Sequence, residues 1–203
     1  MTEIKTSIKK ESFNGYFLLN NAIVLSTAAV FAAFTCILTF IVPFTIPTTG
    51  GYINLGDIGV MISGLLFGPI VGGLAGGIGS AFTDLFLAPV YAIPTLIIKG
   101  LEGFIVGLIA DPKRFYNKYN YRDVLAVIAG GVFMVFGYFF TEILFYGIPS
   151  ALFELFFNGG IQFGLGALVS SLFIIFARKN IISALPQVFD KIFIYNVITM
   201  NSE

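Results

Sequence analysis

The sequence predicts an all-α integral membrane protein, a bundle of six transmembrane helices forming one membrane domain. Composition is the first observation behind this. Of the 203 residues, 57% are hydrophobic and only 11% are charged, against about a quarter charged in soluble domains. The second is that apolar runs recur at membrane length, since a span needs roughly 20 apolar residues. The third is that Lys and Arg occupy alternate connections only, the pattern left by a chain threading a bilayer.

The spans follow in order: Asn20 to Val42, Asn54 to Phe67, Pro69 to Leu87, Thr95 to Ala110, Val124 to Tyr146, and Phe153 to Ala177. The second is short and glycine-rich, which predicts a tilted or partly protein-buried helix. A tight Phe67-Gly68-Pro69 turn joins it to the third, with Pro69 suited to a first helical turn. The third span carries two overlapping small-xxx-small pairs, Gly72 with Gly76 and Gly73 with Gly77. These predict close helix packing within the bundle. They lie inside a span and no Gly-Lys-Ser/Thr follows, which argues against a phosphate-binding loop. The first span carries Ala28/Ala32 and Ala29/Ala33, a flat face for packing within the bundle or against another subunit.

Orientation is read from the basic residues. Lys5, Lys9 and Lys10 precede the first span, Lys113, Arg114, Lys118 and Arg122 lie between the fourth and fifth, and Arg178, Lys179 and Lys191 follow the sixth. The connections Pro43–Ile53, Ala88–Pro94 and Gly147–Leu152 hold none. The positive-inside rule then predicts a multi-pass protein of the cell membrane with both termini cytoplasmic. Residues 1–19 and 181–203 read as cytoplasmic flanks of a membrane domain at 20–180. The first apolar segment is too long for a cleavable signal, and Pro-rich sequence follows it.

On that map, six charged residues fall inside the spans: Asp57, Asp84, Lys99, Glu102, Glu142 and Glu154. All occupy the outer half. Ionisable groups in a bilayer are costly and usually face a bundle interior or a cavity. Helical spacing groups Thr95, Lys99 and Glu102 on one face, Tyr138 and Glu142 on another, and Glu154, Asn158 and Gln162 on a third. Asn54 and Tyr91 stand where the chain meets these helices from outside. Five acids face one lysine, so mutual pairing, for instance of Lys99 with Glu102 or Asp84, cannot satisfy them all. Asp57 and Glu154 also have the option of solvation at helix starts. The pattern favours an outward-facing, aromatic-walled pocket. Its acid excess suits a neutral or cationic heterocycle offering N–H and O–H donors, and disfavours a phosphorylated ligand.

Other chemistries find little support. His is absent and the lone Cys36 lies in an apolar helix, which excludes imidazole catalysis, disulfides and Cys-ligated metals. An intramembrane enzyme using Glu102 and Glu142 lacks the His or Ser expected beside them. A self-sufficient carrier or channel is the competing reading, but no inverted repeat is evident and the polar groups stop in the outer half.

Three ordered segments carry a resemblance: Gly51-Tyr52-Ile53-Asn54-Leu55-Gly56-Asp57, Leu66-Phe67-Gly68-Pro69-Ile70-Val71-Gly72-Gly73, and Ile97-Ile98-Lys99-Gly100-Leu101-Glu102-Gly103. With them the chain resembles the substrate-binding S components of energy-coupling factor (ECF) vitamin transporters, of the riboflavin/hydroxymethylpyrimidine type. The resemblance implies six helices, vitamin capture at the extracellular side, and toppling in the membrane to release it inside. It implies docking through Ala28, Ala29, Ala32 and Ala33 to a transmembrane T component, with two ATP-binding-cassette ATPases completing the complex. ATP is then used by those partners, since this chain has no Walker motif and no cofactor of its own. The residues expected to bind substrate are Asn54, Asp57, Asp84, Tyr91, Lys99, Glu102, Glu142, Asn158 and Gln162.

Overall fold

The computed structural model describes residues 12–47, 49–115 and 118–194, with the Asn158 side chain outside that description. Lys5, Lys9 and Lys10 and the chain beyond residue 194 also lie outside the described residues. A hairpin of β1 (Ser12–Phe13) and β2 (Tyr16–Phe17) leads into α1 (Ala22–Ile41). A second hairpin, β3 (Phe44–Thr45) with β4 (Tyr52–Ile53), precedes α2 (Gly56–Phe67) and α3 (Pro69–Leu87). A 3-10 turn (Pro89–Tyr91) opens α4 (Ala92–Ala110), and short α5 (Pro112–Phe115) leads to α6 (Tyr121–Tyr146). The last span is α7 (Ile148–Phe157), a π turn (Asn158–Gln162) and α8 (Phe163–Ala184), followed by α9 (Pro186–Phe189).

Five segments are long and apolar enough to cross a membrane, and α2 is the shorter sixth. Every residue of α2 except Ile58 is buried, so its neighbours, rather than lipid, surround it. That explains how a 12-residue helix serves in a bilayer core about 30 Å thick, where an isolated span needs roughly 20 residues.

Local chemistry sets the helix ends. The Ile23 amide donates to the Asn21 side chain at 2.9 Å, capping α1. Asn120 and Asp123 form a reciprocal capping box at the start of α6, and this carries the helix three residues beyond the apolar run read from the sequence. Gly68, at φ +85, turns the chain from α2 into α3 in a conformation that L side chains rarely adopt. Arg178 is a correction to the reading of a basic flank. It lies within α8 at 1% exposure, its Nη1 and Nη2 donating to Asp123 at 2.9 and 2.5 Å. This buried pair lets the helix run on to Ala184.

Glycines bring α3 and α4 backbone to backbone. A Cβ on Gly72 would stand 2.6 Å from the Gly103 carbonyl oxygen, so only glycine permits this approach. Without a hydrophobic effect between helices in lipid, such close packing is what holds spans together. The small-residue motif of the third span is thus an intramolecular seam.

Lys113, Arg114 and Arg122 mark one end of the bundle, where the flanking stretches join. The Phe17 amide donates to Ile192 O at 3.0 Å and the Ile194 amide to Gly15 O at 2.9 Å. Tyr16, Phe67, Phe189 and Phe193 fill this end as a buried aromatic cluster, with Phe67 and Phe189 stacked at 5.3 Å. The Tyr16 hydroxyl donates to Asp111 at 3.0 Å. Burial, reinforced by the Asp111 carboxylate, raises its pKa above the usual tyrosine range. The candidate site occupies the other end.

Candidate functional site

The hairpin between α1 and α2 folds over the end of the bundle, and three bonds fix it to three different elements. Tyr52 donates to Asp84 on α3. Thr49 donates to Glu154 on α7. The Asn54 amide donates to the Gln162 side-chain oxygen at 3.1 Å, reaching the π turn. The Ile46 amide closes the hairpin on Gly51 O at 2.7 Å. Gly51 packs against this contact, since a Cβ there would sit 2.8 Å from Glu154 Oε1.

Beneath this lid lies a cavity of about 30 Å³, lined by Asn54, Asp84, Tyr91, Glu142 and Gln162 together with Gly51, Tyr52, Thr95, Tyr138 and Glu154. Pockets that hold drug-sized ligands measure roughly 300–1,000 Å³, far more than this closed cavity. Among the described lining residues there are three carboxylates and no Lys or Arg. The Thr95 and Tyr138 hydroxyls bond each other at 2.8 Å. Tyr91 and Glu142 are buried side by side, the tyrosine hydroxyl facing the carboxylate.

One layer further into the bundle sits a charged triad. Lys99 Nζ donates to Asp57 and, at 3.0 Å, to Glu102 Oε2, with all three residues at 2% exposure or less. Gln162 Nε2 donates to Asp57 Oδ1 at 3.2 Å, so a single amide joins lid, pocket floor and triad. The π turn serves this arrangement. The last span runs 37 residues from Ile148 to Ala184, about 55 Å at 1.5 Å per residue, and the change of helical phase at Asn158–Gln162 lies where Gln162 turns inward. Asp57 Oδ2 and Glu102 Oε1 carry no partner, and two carboxylates against one ammonium leave the triad short of positive charge.

Of the expected site residues, Asn54, Asp84, Tyr91, Glu142 and Gln162 meet at the cavity, whereas Asp57, Lys99 and Glu102 form the layer below it. Lys99 makes the expected pair with Glu102, and two other expectations are corrected. Lys99 takes Asp57 rather than Asp84, whose Oδ1 accepts from Tyr52. Asp57 and Glu154 are not solvated at their helix starts but buried at 0% and 4%. Glu154, Tyr52 and Thr49 were absent from the expected set. Tyr52 stood inside a motif quoted for resemblance, but no helical period reaches a loop residue. On α1, Ala28 and Ala32 face inward at 4% and 9% exposure, while Ala29 and Ala33 are exposed. Only the second pair remains on the surface.

The chain is a multi-pass helical bundle with an acid-lined polar cavity at one end. Residues 20–187 match the family described as the ECF-type riboflavin transporter, S component. The chain belongs to this family, whose members are substrate-binding subunits of vitamin transporters. It is also 43% identical over 124 residues to an uncharacterised protein in the gap 3′ region of Pyrococcus woesei, covering 61% of this chain and 80% of that protein.

Proposed function

We propose that the chain is the substrate-capturing subunit of an ECF uptake transporter, taking a small heterocyclic vitamin of the riboflavin class from outside the cell. The observation that carries this reading is the lidded, acid-lined cavity at the end of the bundle opposite Lys113, Arg114 and Arg122. The positive-inside rule puts that basic end in the cytoplasm and the cavity outside. The lid rises to admit the ligand and closes again through Tyr52, Thr49 and Asn54. Below the triad, Met61, Leu65 and Val106 fill the bundle interior at 0% exposure, which supports capture rather than conduction. Release inside then requires movement of the whole subunit, driven by a T component docked on the Ala29/Ala33 face and two partner ATPases that hydrolyse ATP.

Reconstitution tests the assignment. Liposomes holding the chain alone should bind riboflavin without accumulating it, and uptake should appear only with the partner subunits and ATP. Accumulation by the chain alone would contradict the proposal.

A further inference from the structure

The lid is held in two different ways. Toward its tip, Thr49 and Tyr52 donate to Glu154 and Asp84 on helices across the cavity. At its base, where β4 passes into α2, one side-chain amide spans the joint. The Asn54 side chain is engaged locally there, its Oδ1 accepting from the Gly56 amide at 2.7 Å. The Asn54 N–H instead donates out of the joint, to Gln162 Oε1 at 3.1 Å. Gln162 Nε2 donates to Asp57 Oδ1 at 3.2 Å, in the first turn of α2. Gln162 thus ties the lid side of the joint to its helix side. Gly166, one turn further along α8, lets the elements close on this contact, since a Cβ there would stand 2.6 Å from Asp57 Cβ.

The neighbours dictate how the amide is turned. A backbone N–H only donates, and a carboxylate paired with an ammonium only accepts. One rotation of the Gln162 amide satisfies both, with its oxygen toward Asn54 and its nitrogen toward Asp57. Asp57 is itself held, because Lys99 Nζ donates to the same Oδ1 and is anchored in turn by Glu102 Oε2 at 3.0 Å. Gln162, Asp57, Lys99 and Glu102 are all 3% exposed or less, so water offers no substitute partner.

Resting on the capture reading, we infer that Asp57 is a positioning residue for capture: it orients Gln162, and Gln162 clamps the base of the lid. Lys99 and Glu102 serve the same end by holding Asp57 in place. Hinges are a few residues at the end of an element that absorb a large backbone change, and residues 54–56 stand at such a point. Opening requires the Asn54 amide to leave Gln162, so the clamp sets how readily the lid lifts.

The test reads lid opening directly. Ile46 lies between β3 and β4 and is 1% exposed, so a thiol there meets an aqueous reagent only when the lid lifts. The full chain carrying Cys36→Ala and Ile46→Cys is labelled in lipid nanodiscs without ligand. Asp57→Leu cannot accept and leaves a buried donor unpaired, so labelling should quicken about five-fold or more. Asp57→Asn keeps an acceptor oxygen for Gln162 and Lys99 and should recover most of the slow rate. Gln162→Met should quicken labelling by itself, and adding Asp57→Leu to it should change nothing further. Fold-changes that multiply in the double variant, or Asp57→Asn as fast as Asp57→Leu, would overturn the inference by showing a role in stability alone. Should Asp57→Leu fail to fold, Asp57→Ala makes the same deletion, and an unchanged rate in Gln162→Met overturns the clamp without it. Riboflavin then separates the two readings. Labelling that riboflavin never slows, with these fold-changes intact, would uphold the clamp and overturn capture. Protection by riboflavin with equal rates in every variant would overturn the clamp and leave capture standing.

Discussion

Replacing Lys99 with Met isolates the triad, because it removes the ammonium while keeping much of the stem volume. In the folded protein Lys99 is 2% exposed and donates to Asp57 and Glu102, which are both at 0% exposure. Its loss leaves two buried carboxylates that already carry one unpartnered oxygen each. Breaking a buried pair by removing one partner costs about 3–5 kcal/mol. For a chain of this length about 1 kcal/mol shifts the melting temperature by 2–4 °C, so Lys99→Met should melt roughly 6–20 °C lower. Removing the excess carboxylate should recover much of that loss. Lys99→Met with Asp57→Asn should therefore melt closer to wild type than Lys99→Met alone, whereas Asp84→Asn, whose partner is Tyr52, should not rescue. Circular dichroism of the detergent-solubilised protein measures this without a tryptophan. Melting of Lys99→Met within 2 °C of wild type, or better rescue by Asp84→Asn, would refute the reasoning.

Tyr52→Phe removes one of the three lid bonds, worth about 1.5–3 kcal/mol for a carboxylate acceptor. It should raise the rate of ligand association in stopped-flow fluorescence, and an unchanged rate would deny the hairpin its gating role. Ala29→Trp should abolish partner-dependent uptake while riboflavin titration of the isolated chain stays normal, and Ala28→Trp should instead lower the yield of folded protein. In a Cys36→Ala background, a cysteine at Thr45 should react with an impermeant thiol reagent on intact cells and one at Lys118 should not. The reverse labelling pattern would place the cavity in the cytoplasm.

The spans were legible because twenty apolar residues in a row have few alternatives in water or lipid. The shortness of α2 was legible too, since its glycines signal burial among other helices. Helical spacing correctly put Thr95, Lys99 and Glu102 on one inward face. What it could not supply was pairing between elements. Sequence spacing offered Asp84 as a partner for Lys99, whereas the fold sets Asp57 against the lysine and Tyr52 against Asp84. On the last span the spacing brought Glu154 and Gln162 to the same cavity, but the π turn at Asn158–Gln162 that lies between them has no signature in a 3.6-residue period. Arg178 was misplaced because its burial depends on Asp123, a residue 55 positions away.

The central claim is that the cavity under the α1–α2 lid captures the ligand, and equilibrium titration of riboflavin into the full chain in nanodiscs tests it most directly. Binding should saturate at one site, with quenching of flavin fluorescence. Gln162→Ala should weaken it roughly 5- to 150-fold, the equivalent of about 1–3 kcal/mol for a polar group left unpaired. Saturable binding with unchanged affinity in Gln162→Ala and Glu142→Gln would place the ligand elsewhere and contradict the account.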